Sequence, residues 1–145
     1  MPLLAIIAVL AAGLGVALQP PTNAALARAG GSVVLASLIS FAIGTALLLV
    51  AWLAAGRPGG GGLRDAPAWA WVGGFYGACF VAALAYATPR LGLASTLTLA
   101  IASQLVAALL LDRWGALGLA PTSIGTGRLL GVALVIAGAV LVRRG

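Results

Sequence analysis

Charged side chains cut this sequence into long apolar runs, and the lengths of those runs leave few folds open. Residues 1–27, 29–56, 66–89 and 91–111 contain no Asp, Glu, Lys or Arg. Each run exceeds the roughly 20 residues a helix needs to cross a hydrocarbon core of about 30 Å. The last run, Leu129 to Val142, has only 14 residues, which at 1.5 Å per residue covers about 21 Å and is marginal alone. A lead-in from Thr122 to Arg128 completes it, with Arg128 near the end and able to snorkel to the headgroups. The expectation is an all-α integral membrane protein with one membrane domain over residues 1–145. Its five helices are expected at about 3–26, 33–55, 68–88, 92–111 and 126–143.

Composition supports the lipid bilayer as the partner and excludes much else. Hydrophobic residues make up 63% of the chain and charged ones 7%, with a mean hydropathy of +1.18, too little polar surface for a water-soluble domain. The net charge of +6 comes from eight arginines spread singly between apolar runs, so no basic face for nucleic acid forms. Catalytic triads and histidine metal sites need histidine, and the chain has none. Asp65 and Asp112 are expected in separate loops and give no carboxylate pair. The Gly59–Gly62 run lacks a following lysine and is a linker, not a phosphate loop. An enzyme, a cofactor and a metal site are therefore not expected. Cys79, the one cysteine, reads as a small packed hydrophobe. The stretch "MPLLAIIAVLAAG" lacks the basic residues that open a signal peptide and is taken as a retained first span.

With five spans, Arg57, Arg64, Arg113 and Arg128 fall on one side of the membrane and Arg28, Arg90, Arg143 and Arg144 on the other. Orientation is set by an excess of Lys and Arg on one side, and four against four gives none. Trp52, Trp69, Trp71 and Trp114 all fall on the side of the N-terminus. Indoles favour both interfaces of a bilayer, which an antiparallel pair would satisfy and a single orientation would not. Both counts favour a dual-topology, antiparallel homodimer.

Uncharged polar groups at membrane depth carry the functional reading. In "GVALQPPTNAALARAGG", Pro20 and Pro21 remove two backbone donors and free the carbonyls of Val16 and Ala17. Gln19 and Asn23 are four residues apart, hence on one helix face. Two readings are open: a helix kinked at a Pro20–Pro21 hinge with both amides facing a polar cavity, or a first span ended by the prolines and followed by an exposed loop. In the fourth span Gln104 must find partners inside the bundle, either as interhelical glue or along a pathway. Ser103 adjoins it, with Thr96 seven residues earlier on nearly the same face. The Tyr76 hydroxyl in the third span also needs a partner. Ala36, Ser40 and Gly44 recur every four residues, as do the pairs Gly73/Gly77 and Gly127/Gly131, and such stripes serve close helix packing. "RAGGS" and "TPRLG" read as tight turns, residues 56–67 as a flexible loop, and 112–127 as a partly apolar interfacial loop.

These motifs occur in an order that resembles a known family. The segments "QPPTNAALARAGGSVVLASLISFAIGTALLL", "WAWVGGFYGACFVAALAYATPRLGLAST", "IASQLVAALLLDRWG" and "GRLLGVALVIAGAVLV" together are similar to the five-helix, YdcZ-like branch of the drug/metabolite transporter (DMT) superfamily. The matching elements are Gln19/Asn23, Ser40-Phe41 with Gly44, Gly73-Gly74, and Gln104 through Asp112 to Trp114-Gly115. Ser103 stands where glycine is usual, and Trp114 where phenylalanine is common. The resemblance implies half of a ten-helix inverted-repeat transporter in the inner (plasma) membrane, pairing with a copy of itself or with an oppositely oriented homologue. It implies transport of a small-molecule substrate by alternating access, with Gln19, Asn23, Ser40, Tyr76, Ser103 and Gln104 as the residues expected along the pathway. No carboxylate lies at mid-membrane, so a neutral, zwitterionic or anionic solute, or facilitated diffusion, fits better than cation/proton exchange. The rival is a non-transporting assembly subunit, for which the glycine stripes alone would suffice.

Overall fold

The structure, a computed structural model, describes residues 2–145, with side chains from Leu3 onward. Among the described residues five helices are long and apolar enough to cross a membrane, and the chain gathers into two compact units, one ending at Tyr86 and one running from Ala87 to Gly145.

The first unit begins with α1 (Pro2–Gly30), which remains helical through Pro20 and Pro21. This removes the loop reading of residues 22–31. In an apolar medium a helix that lacks two bonds leaves fewer backbone groups orphaned than a loop does. Thr22 adds to the local bonding, its hydroxyl donating to the carbonyls of Leu18 at 3.1 Å and Gln19 at 2.9 Å. Gly31 then takes a left-handed conformation, φ 68°, which glycine adopts without steric cost. Ser32 caps α2 (Val33–Ala54), its Oγ accepting from the Leu35 N–H. The helices are thus a hairpin with a two-residue connection, packed along each other, and Ala36, 1% exposed, lies in its core.

After α2 the chain is tied back at once, since the Trp52 indole donates to the Pro58 carbonyl at 2.9 Å. The loop expected to be flexible is therefore anchored where it starts. A short 3-10 stretch, Ala68–Val72, leads into α3 (Gly73–Leu91). The expected turn at "TPRLG" is corrected: Pro89 to Leu91 complete the last turn of α3, and the break is Gly92 alone, φ 81°. Cys79 is also corrected, for it is exposed, on a different side of α3 from the buried Leu84 and Ala85.

In the second unit α4 (Leu93–Trp114) and α5 (Thr126–Arg144) pack along each other. Asp112 belongs to the last turn of α4 rather than to a loop. Gly115 closes that helix at φ 60°, and a Cβ there would lie 2.6 Å from Pro121 Cγ. Conformation and crowding both require glycine. The 115–125 segment folds back on the helix end, with the Thr122 N–H donating to the Asp112 carbonyl at 2.7 Å. Asp112 and Arg128 then join the two helices, Oδ2 to Nη1 at 3.4 Å.

Candidate functional site

Hydroxyl groups in these spans are mostly satisfied by their own helices. Ser37 donates to the Val33 carbonyl at 2.9 Å, Thr96 to Gly92 at 2.8 Å, Thr98 to Ala94 at 2.9 Å and Ser103 to Ala100 at 2.8 Å. Bonding back one turn is the local solution for a short hydroxyl side chain in a helix. Carboxamides are longer, with two donors and an acceptor. The chain has three of them, Gln19, Asn23 and Gln104.

Asn23 is 3% exposed, and its Nδ2 is buried with no hydrogen-bond partner. A buried donor left unmade costs its desolvation, about 1–3 kcal/mol in mutational data, and more in hydrocarbon. Beside it Pro20 is fully buried. Arg28, in the last turn of α1, is taken as the headgroup end of the span because arginines favour the membrane–water boundary. Counting 1.5 Å per residue from there, Asn23 lies about 8 Å deep and Gln19 about 14 Å, close to the midplane of a 30 Å core.

Gln19 shares a cavity of about 270 Å³ with Ser40, Phe41, Gly44, Gly77 and Phe80, among others. The α1 amide and the α2 hydroxyl thus line one cavity. A Cβ on Gly77 would come within 3.3 Å of the Phe41 ring, whereas one on Gly44 would meet nothing within 4 Å. The small residue at 77 lets an aromatic ring close one wall, and the one at 44 leaves the space empty. Tyr76 does not line this cavity: it is 64% exposed and set edge-on to Phe75, ring centroids 5.9 Å apart. The α3 residues at the cavity are Gly77, Phe80 and Val81, which follow helical spacing on a neighbouring face. Phe80 was missed in the sequence, and only its position three residues after Gly77 could have signalled it.

Ser103 and Gln104 belong to the second unit and are both exposed. Gln104 stands midway along α4. Thr96, by contrast, is 5% exposed, so the shared face of Thr96 and Ser103 is buried at one end and open at the other. The glycine stripes follow the same pattern, since Gly73, Gly127 and Gly131 meet nothing within 4 Å. Of the four glycines in the pairs Gly73/Gly77 and Gly127/Gly131, Gly77 alone meets a neighbour, the Phe41 ring.

A second cavity, an open groove of about 410 Å³ between α4 and α5, is lined by Leu105, Leu109, Gly131, Val132 and the Asp112–Arg128 pair, among others. Nothing in the sequence joined Asp112 to Arg128, which are separated by 16 positions across a loop. Both acids, Asp65 in the 3-10 turn at Leu63–Asp65 and Asp112 at the end of α4, stand away from mid-span.

Comparison with known proteins places these features in a family. The family model described as "Putative inner membrane exporter, YdcZ" matches residues 4–141. The chain is similar to the Escherichia coli (strain K12) protein named "Inner membrane protein YdcZ", with 30% identity over 138 residues, covering 93% of this chain and 91% of that protein. No solved structure matches it significantly.

Proposed function

Since the chain belongs to the YdcZ family of inner-membrane proteins, we propose that it is one half of a secondary transporter for a small solute, completed by a second copy inserted the other way up. The observation that carries this reading is the placement of the carboxamides. Asn23 is buried with an unmade donor, Gln19 lines a cavity, and Gln104 is exposed halfway along α4. Amides at that depth need protein, water or a solute as partner, and a protomer that leaves them open is suited to a larger assembly with a polar interior.

Two inverted five-helix halves make the ten-helix arrangement in which one half rocks against the other around a midplane site. The even division of arginines between the two sides supports insertion in both orientations. The family's description supplies export as the direction. With no acid at mid-span, the solute carries no net positive charge. Gln19, Asn23, Ser40, Tyr76, Ser103 and Gln104 are the proposed pathway groups, and Pro20 and Pro21 the hinge. The function is transport rather than catalysis.

Two measurements test this together. C-terminal reporter fusions should be active on both sides of the membrane, and three lysines added to the 56–67 loop should hold that loop in the cytoplasm. Purified protein in proteoliposomes should release at least one of a panel of neutral, zwitterionic and anionic solutes faster than empty vesicles do. Gln104→Leu should abolish that flux and leave the dimer intact. If no solute moves and Gln104→Leu dissociates the dimer, the chain is an assembly subunit.

A further inference from the structure

The α4/α5 groove is unlike the cavity at Gln19. Its walls are apolar, from Leu105, Leu109, Val132 and Val135, and its charges, Asp112 and Arg128, stand at one end. That end is where α4 finishes at Trp114 and α5 begins at Thr126, and charges and a tryptophan at the ends of spans mark it as the membrane boundary. Leu105 lies two turns deeper, so the apolar part runs about 10 Å into the hydrocarbon. Its floor is open, because no atom lies within 4 Å of a Cβ built on Gly131.

The ion pair is incomplete as well as exposed. Arg128 is 51% exposed and Asp112 41%, and their single contact is 3.4 Å long. It uses one donor of a guanidinium that has several and one of the two carboxylate oxygens. An anion can therefore join Arg128 while an ammonium joins Asp112, with both charges compensated.

We propose that this groove binds a zwitterionic phospholipid with a primary-ammonium headgroup. The phosphate sits against Arg128, the ammonium donates to Asp112, and one acyl chain lies along Leu105, Leu109, Gly131 and Val135. Charge complementarity selects this occupant. A headgroup with only an anion leaves Asp112 beside a negative charge, and a quaternary ammonium has no N–H to donate. The chemistry is that of phosphatidylethanolamine.

The test is native mass spectrometry of the full-length protein extracted from vesicles of equal parts phosphatidylethanolamine, phosphatidylglycerol and phosphatidylcholine. Wild type should retain phosphatidylethanolamine about tenfold over the others, the factor supplied by one hydrogen bond to a charged group. Asp112→Asn should reduce that preference to parity, and Gly131→Leu, which fills the groove, should lower retention of every lipid. Chain-free glycerophosphoethanolamine should not compete, which separates a lipid site from a headgroup site. Equal retention of the three lipids by wild type overturns the proposal without any variant. So does competition by the chain-free headgroup, or a Gly131→Leu protein that keeps its lipid but loses self-association, for then the groove seats a second copy.

Discussion

Replacing Asn23 by leucine separates two roles that a buried amide can have. The side chain is 3% exposed and its Nδ2 has no acceptor, so the protomer carries the desolvation of that donor with no bond in return. Leucine has the same branched shape, though a larger volume, and no polar atom, and removing an unmade buried donor recovers its desolvation cost. Recovering a penalty of about 1–3 kcal/mol should raise the midpoint of thermal unfolding by about 2–10 °C, at the few degrees per kcal/mol of proteins this size. Transport should fall in the same variant, because the group held ready for an arriving acceptor is gone. Thermal scanning in detergent reads the first effect and proteoliposome flux the second. A drop in stability of more than about 1 kcal/mol would show that the amide makes a structural bond. Unchanged flux would remove Asn23 from the pathway, whatever happened to stability.

Three further substitutions probe other parts of the argument. Replacing Pro20 and Pro21 by alanine restores donors to the Val16 and Ala17 carbonyls, so stability should hold or rise by up to about 3 kcal/mol per site, while flux falls if the pair is a hinge. Gly44→Leu projects into the 270 Å³ cavity, where a Cβ meets nothing within 4 Å. It should leave thermal stability in place and block flux, and undiminished flux would take that cavity out of the pathway. Gly115→Ala places a methyl group 2.6 Å from Pro121 on a backbone at φ 60°. It should cost about 1–3 kcal/mol, read as a lower unfolding midpoint, and a neutral outcome would mean that the 115–125 segment is not held against α4.

Helix positions were legible because charge and apolarity report depth, and depth is what a bilayer selects. Arg28, Arg90, Asp112 and Arg128 stand at or near helix ends in the structure, as their spacing in the sequence implied. What each helix faces was much less legible. A helix apolar all round has no stripe from which to read its orientation, so Gln104 and Cys79 could be placed along their helices but not around them. The prolines left two readings open for a related reason. The preference of X-Pro for a helix boundary is weighed against water as the alternative partner for freed groups, and the hydrocarbon interior offers none. Continuation of α1 through Pro20 and Pro21 is the less costly choice there.

The same absence of solvent gives the carboxamides their meaning. In water an exposed glutamine halfway along a helix needs no explanation, since solvent completes its hydrogen bonds. At the middle of a bilayer neither lipid tails nor the glutamine's own helix can do so. Serine and threonine avoid the difficulty by bonding back one turn, as Ser37, Thr96, Thr98 and Ser103 do. Gln19 and Gln104 remain exposed at that depth, and Asn23 is buried with its donor unmade. These are three open valences on a chain in which a Cβ on Gly73 or Gly127 would also meet nothing within 4 Å. Small residues admit the close approach of another helix, and amides require that whatever arrives be polar. In the proposed assembly a second inverted copy would supply the helix, and water or a solute between the copies would supply the polar group. Assembly alone would account for the glycines, but an amide buried without an acceptor calls for a partner that comes and goes.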